Sequence, residues 1–211
     1  ISLGNLCLCG LHWVFIKSEK TMSLIENQLD SQAIFDGRII KVSVDTVTLP
    51  NGKTPTREVV RHPGAVAVLA VTEHNEVILV RQYRYTLGDY IYEFPAGLVE
   101  PGEDFHEGAV REMYEETGLK LEPLKVDPAF EKPYFTTVGM TDESCATVYG
   151  YASGEVSKAA QEDSEEIEIV LADRTEVKRI LKEERVAIMC AYMLMHFLKD
   201  EEPFGFLNEK L

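Results

Sequence analysis

The sequence predicts an α/β protein, on three observations. Short runs of alternating apolar and polar residues, punctuated by turn residues, fill the first half of the chain. One strongly marked helix then follows a Pro-Ala-Gly stop, and a further pair of strands leads into two closing helices. The 211 residues, 45% of them hydrophobic, suffice for one compact domain with an appendage.

In chain order, residues 1–21 stand apart. ISLGNLCLCGLHWVFI is apolar, begins without Met, lacks a basic leader and is too short to span a bilayer. The polar stretch after Met22 reads as an ordinary start, so residues 1–21 are expected to be a translated upstream extension; the alternative is a genuine membrane or partner segment. From Ala33, IFDGRIIKVSVDTVTL alternates up to the turn at Pro50-Asn51-Gly52, and REVVRH resumes the pattern. A boundary falls near Arg61. Gly64 to Ala70 and Glu76 to Tyr83 read as two buried strands joined at Glu73-His74-Asn75, and DYIYEFPAG adds a short strand. A helix is predicted from about Phe105 to Thr117, stopped by Gly118. After a proline-punctuated connection, ESCATVYGYAS and EEIEIVLA read as strands. Helices are predicted near Thr175 to Lys182 and from about Glu184 to Leu198, the last with an apolar stripe that includes His196 as a satisfied core histidine.

A formal net charge of -15 argues against a nucleic-acid groove or an anionic-membrane surface, because both require clustered Lys and Arg. Cys7, Cys9, Cys145 and Cys190 have no spacing that suggests a zinc site or a disulfide framework, and the plain expectation is a reducing cytoplasm. An acidic protein that handles phosphates would need metal ions.

The chemistry concentrates in GLVEPGEDFHEGAVREMYEETGL, Gly97 to Leu119, which holds seven carboxylates. On a helix Glu112, Glu115 and Glu116 stand at i, i+3 and i+4 and share one face, where like charges cost a few tenths of a kcal/mol per pair (roughly 0.2–0.5) unless something compensates them. Hard divalent cations prefer carboxylate oxygens and keep waters while binding phosphates. A solvated acidic face is the bland reading of an ExxEE run by itself. The full spacing is more specific: Gly97, five residues, Glu103, seven residues, then Arg111-Glu112-Met113-Tyr114-Glu115-Glu116-Thr117-Gly118-Leu119. It resembles the box of the Nudix hydrolases at every fixed position.

That resemblance implies a Nudix α/β/α sandwich around a mixed sheet and metal-dependent hydrolysis of a nucleoside diphosphate linked to another group. It implies that Glu112, Glu115 and Glu116, with the main-chain carbonyl of Ala96, bind Mg²⁺ or Mn²⁺. Arg111 and Glu103 would support them through charge-assisted hydrogen bonds. The flanking LVRQYR, YEFPAGLVEPGE and EEIEI are similar to the ADP-ribose pyrophosphatase branch, whose N-terminal strands exchange between subunits. A homodimer is therefore expected, with residues 22–62 as the dimer-forming β arm and 63–211 as the hydrolase domain. Arg84 matches an arginine at the substrate's phosphates, and Arg57 and Arg61 lie on the arm as further substrate-binding candidates. Glu143 matches an acidic residue that binds the ribose or holds the metal-bound water. Glu165 aligns best with the family's general base, Glu162 and Glu166 are close alternatives, and Glu115 is the next candidate. One position departs: Val138 stands where relatives often carry proline in a Ser-Pro-Gly loop. ADP-ribose, giving AMP and ribose 5-phosphate, is the substrate the resemblance implies; another nucleotide sugar, a dinucleoside polyphosphate, or a non-catalytic nucleotide-sensing role are the alternatives. Tyr83, Tyr85 and Phe135 are candidates to stack on the base.

Overall fold

A computed structural model describes residues 24–161 and 166–208. The reading of residues 1–21 lies outside the described residues. Three antiparallel strands come first: β1 (Asn27–Asp36), β2 (Lys41–Thr48) and β3 (Thr56–Arg61), in the order β1-β2-β3. The core follows with β4 (Ala65–Val71), β5 (Val77–Arg84), β6 (Asp89–Glu93), β7 (Ala96–Leu98), α1 (Phe105–Thr117), β8 (Lys120–Pro123), α2 (Pro128–Glu131), β9 (Tyr134–Phe135), β10 (Ser144–Ser153), β11 (Ile167–Ala172), α3 (Arg174–Glu183) and α4 (Ile188–Lys199). A 3₁₀ turn, Gly205–Asn208, ends the described chain.

The core sheet runs β11-β5-β4-β10-β8, with β6 paired to β5, β7 to β4 and β9 to β10. It is mixed: β10 lies parallel to β4 from Cys145↔Ala65 to Tyr151↔Val71, and the other pairs are antiparallel. β4 is buried on both faces, which explains the unbroken AVAVLAV. Leu69, Val71, Val77 and Leu79 face α3 and α4 with Val177, Ile180, Leu194 and Phe197, whereas Val66, Val68 and Ile78 face α1 with Ala109 and Met113. The sheet is therefore covered on both sides, an α/β/α sandwich. Met113 is wholly buried, so Met113→Ala would cost about 2–5 kcal/mol.

Four features depart from the pattern read off the sequence. β1 begins at Asn27, well before Ala33, and Gly37 turns the chain between β1 and β2 through its N–H to the Ile40 carbonyl. Every residue of β1 is exposed, so burial imposes no alternation on residues 27–32. The last helix begins at Ile188 because Arg185 to Ala187 are drawn to β6: Tyr92 N donates to the Arg185 carbonyl at 2.9 Å and Ala187 N to the Tyr92 carbonyl at 3.0 Å. The short β8, α2 and β9 occupy what reads as a proline-rich connection. His196 is not a satisfied core histidine: Nδ1 is buried without a hydrogen-bond partner, and the ring packs between Tyr192 and Phe206.

Candidate active site

Helix α1 carries the box and is capped at both ends by its own sequence. The Asp104 carboxylate accepts from His106 N at 2.9 Å, satisfying a first-turn N–H, and Gly118 closes the helix at φ +74°, donating to the Tyr114 carbonyl at 2.8 Å. Ala109, Met113, Glu116 and Thr117 turn inward. Glu116 is thus a carboxylate only 3% exposed, and its Oε2 accepts from Ala96 N at 3.1 Å. That bond joins the helix to β7, which β4 holds through Ala67↔Ala96 and Val66↔Gly97.

Arg111 organises the outer part of the cluster. Nε and Nη2 bind Glu103 Oε1 and Oε2, both at 2.9 Å; Nη2 also reaches the Leu98 carbonyl at 3.0 Å. Nη1 lies 2.6 Å from Glu112 Oε1 and 3.0 Å from Glu115 Oε2. This forked contact holds the Glu103 carboxyl at a pKa of about 2, with a backbone N–H from Glu100 adding to the effect, and the same carboxylates hold the Arg111 guanidinium more firmly protonated than usual. Gly97 makes the close approach possible: a Cβ there would lie 2.0 Å from Glu112 Cδ.

The structure brings Arg111, Glu112, Glu115, Glu116 and Ala96 into one region. Among the described residues, however, no three acidic, histidine or cysteine side chains converge as a metal would require. Arg111 Nη1 takes the position between Glu112 and Glu115 and acts as their counter-ion. The donor set still fits a hard divalent cation by its chemistry: carboxylate oxygens on one helix face, a main-chain carbonyl beside them on β7, and more acidic groups than Arg111 neutralises.

The other expected residues are held by partners of their own. Arg84 Nε binds Glu93 Oε2 at 2.7 Å, and Gln82 Nε2 reaches the same oxygen at 3.1 Å. Arg57 forks onto Glu26 at 2.9 and 2.8 Å within the arm. Arg61 Nη1 binds Asp142 Oδ2 at 2.9 Å in the loop ahead of β10. Both arm arginines are therefore engaged within their own chain. Glu143 Oε2 accepts from Thr136 Oγ1 at 2.5 Å. Glu165 and Glu162 lie outside the described residues; Glu166 is described and exposed at the foot of β11. Tyr83, Tyr85 and Phe135 are all exposed, and Tyr83 meets Tyr90 edge-on at 5.5 Å.

Sequence reasoning passed over several partners. Arg81 binds Glu168 at 3.0 Å, stacks 4.1 Å from the Tyr90 ring centroid, and with Lys158 and Gln161 lines a cavity of about 620 Å³. Gln161 Nε2 donates to the Glu116 carbonyl at 2.8 Å and Ser157 N to the Thr117 carbonyl at 2.9 Å, so the segment after β10 satisfies the open C-terminal carbonyls of α1. His106 Nε2 lies 3.0 Å from Glu131 Oε1, tying the first turn of α1 to α2. Only pairing across the fold reveals these. Cys145 and Cys190 are buried, and burial pushes the Cys145 thiol up to about 12 and the Cys190 thiol up as well, which makes both poor nucleophiles.

A sandwich of this topology, with the box on α1 and the box loop on β7, defines a class, and comparison with known proteins agrees. The NUDIX domain matches residues 60–189, well over half of the chain, so the protein belongs to the Nudix family. With the box complete, it is a Nudix pyrophosphohydrolase by class. The nucleoside diphosphate sugar hydrolase N-terminal domain matches residues 26–60, the three-stranded arm. The chain is 36% identical over 181 residues to the methanol dehydrogenase activator of Bacillus methanolicus, covering 84% of this chain and 94% of that protein. It is 46% identical over 121 residues to the ADP-ribose pyrophosphatase of Bacillus subtilis, covering 57% of this chain and 63% of that one, less than two thirds of its length. A solved structure, an ADP compounds hydrolase, shares the fold at TM-score 0.70 and 20% identity, covering 86% of this chain and 98% of its own. Nudix hydrolases generally use divalent metal ions.

Proposed function

We propose that the protein hydrolyses the diphosphate of a nucleotide sugar, with ADP-ribose, giving AMP and ribose 5-phosphate, as the leading substrate. The observation that carries this reading is the Glu103–Arg111–Glu112–Glu115 network beside Glu116 and Ala96, on a chain whose arm matches a nucleoside diphosphate sugar hydrolase domain. Glu112, Glu115, Glu116 and the Ala96 carbonyl would hold Mg²⁺ or Mn²⁺. When bound, such an ion supplies charge neutralisation at the phosphate oxygens and lowers the pKa of a coordinated water.

The chain's own residues do the rest in this reading. Arg111 orients Glu112 and Glu115 through Nη1 while its other two nitrogens stay anchored on Glu103. Arg84, pre-set by Glu93, places a forked donor for the phosphates, and Arg57 and Arg61 are further candidates from the arm. Glu143 holds the sugar. Water attacks one phosphorus, the P–O bond to the bridging oxygen breaks, and a carboxylate takes the water's proton. Glu165 is the proposed base, with Glu162, Glu166 and Glu115 as alternatives.

The exposed Leu29, Ile34 and Phe35 on β1 support an arm that pairs with a second copy, making the protein a homodimer; a cytoplasmic location is part of the same proposal. Among the described residues, no helix is long and apolar enough to cross a membrane. A second reading, activation of a dehydrogenase, is favoured by the alignment over 94% of the methanol dehydrogenase activator, and a dehydrogenase rate measured with and without this protein tests it. A panel of ADP-ribose, other ADP-sugars and dinucleoside polyphosphates, assayed with Mg²⁺ or Mn²⁺ for AMP and sugar phosphate, tests the hydrolase reading. Release of AMP fastest from ADP-ribose is expected; turnover of none of them would overturn the hydrolase reading.

A further inference from the structure

The junction between arm and core runs through Arg61 and His62. Arg61 Nη1 donates to Asp142 Oδ2 at 2.9 Å and His62 N to Asp142 Oδ1 at 3.0 Å, so two consecutive residues take both oxygens of one carboxylate. Val60 N adds a bond to the Met140 carbonyl at 2.8 Å. The loop is thereby fastened to the end of β3 one residue before Glu143.

The His62 side chain is only 13% exposed. Its Nδ1 accepts from Gly64 N at 3.2 Å. A ring nitrogen that accepts carries no proton, so the neutral imidazole bears its hydrogen on Nε2. Nε2 faces Glu143 Oε1 at 3.8 Å, too long for a hydrogen bond but close enough for the N–H dipole to act on the carboxylate, whose side chain is 36% exposed. Glu143 Oε2 is taken by Thr136 Oγ1, and Glu143 N donates to Thr141 Oγ1 at 3.0 Å.

We propose that His62 is a positioning residue for Glu143: the Gly64 N–H selects the ring tautomer, and the resulting Nε2–H holds Glu143 in the orientation that receives the substrate's sugar. This rests on the reading of Glu143 as the sugar-binding residue. The same two residues at the end of the arm clasp Asp142, so the arm is fastened to the loop that carries Glu143.

Steady-state kinetics on the full chain with ADP-ribose and Mg²⁺ test it, using His62→Ala, His62→Gln, Glu143→Gln and the double variant His62→Ala/Glu143→Gln. Glu143→Gln should raise KM. His62→Ala should raise KM by about fivefold or more, within the coupling range of neighbouring side chains, with kcat nearly unchanged. His62→Gln, which keeps an N–H donor, should recover most of the loss. The double variant should be no worse than Glu143→Gln alone. Multiplying effects in the double variant would overturn the inference while leaving Glu143 as the sugar ligand; an unchanged KM in Glu143→Gln would instead remove the premise. Imidazole ¹⁵N shifts of the wild-type protein give a readout independent of variant folding: a protonated Nε2 and bare Nδ1 are expected, and the reverse tautomer overturns the proposal.

Discussion

Arg111 grips Glu103 with two parallel hydrogen bonds, Nε to Oε1 and Nη2 to Oε2, each 2.9 Å long. The pair fastens the box loop to the box helix across eight residues of sequence and leaves Nη1 for Glu112 and Glu115. A planar fork matched to a carboxylate suits this task, and a lysine could not reproduce it.

The fork makes stability depend on pH in a defined window. The Glu103 carboxyl titrates at about 2 in the folded chain against an ordinary 4.5. A depressed folded-state pKa contributes stability that is fully present above the unfolded value and is lost as pH falls through the folded one. Urea midpoints measured from pH 5 down to pH 2 should therefore fall more steeply for the wild-type protein than for Glu103→Gln. Parallel slopes would show that the pair adds nothing to folding.

Much of the fold was legible where local pattern and tertiary demand coincide. The box helix runs from Phe105 to Thr117, closed by Gly118 as predicted. The start of α4 was not legible, because Val186 serves β6 through its bridge to Tyr92, a contact with no local signature. The start of β1 was hidden for the opposite reason: it is exposed throughout, so burial imposes no period on it. The box carboxylates, with Arg111 and Glu103 as their support, were legible through the resemblance that the full spacing carries. The pairs Arg61–Asp142 and Gln161–Glu116 were not, since their members are 81 and 45 residues apart.

Glu116→Gln should fold normally, because an amide oxygen can still accept from Ala96 N, but turnover should nearly vanish. The proposed role as a direct ligand implies a loss of at least about 10²-fold, the upper end for groups that only support a ligand. Glu112→Gln should behave similarly with a weaker effect. Mn²⁺ titration alongside kinetics separates lost binding from lost chemistry; wild-type turnover at saturating metal would sink the ligand assignment.

Arg174 provides a control remote from the box. Its guanidinium donates to the carbonyls of Phe197, Asp200 and Glu201 and lies 4.6 Å from the centroid of the Phe197 ring, closing the C-terminal end of α4. Arg174→Met should lower stability by about 1.5–3 kcal/mol, the range for hydrogen bonds to a charged group. Denaturant unfolding would read the loss, and kcat/KM in buffer should stay at the wild-type value. An activity loss at full stability would place Arg174 in communication with the site.

The two glycines that bound the box should fail in different ways when given a methyl group. At Gly97 the new Cβ would stand 2.0 to 2.3 Å from the Glu112 carboxyl atoms, the mobile end of a long side chain. Glu112 can swing away at little cost to folding, but it then leaves Arg111 Nη1, now at 2.6 Å, and the position proposed for a cation. Gly97→Ala should therefore keep its unfolding midpoint within about 1 kcal/mol of wild type, because Arg111 stays anchored on Glu103 and Glu115, while losing most of its activity. At Gly118 the Cβ would meet backbone: Ser157 N at 2.9 Å and Ser157 O at 3.0 Å, with Ser157 Cβ at 2.7 Å, and φ is +74°. None of these atoms can move without disturbing the Ser157 N bond to the Thr117 carbonyl. Gly118→Ala should destabilise by more than about 1 kcal/mol, the least that an incompatible left-handed position costs. Measured together, loss of activity with retained stability at Gly97 and loss of stability at Gly118 are the expected pair. A Gly97→Ala protein that hydrolyses substrate at the wild-type rate would mean that Glu112 does its work from somewhere other than beside β7.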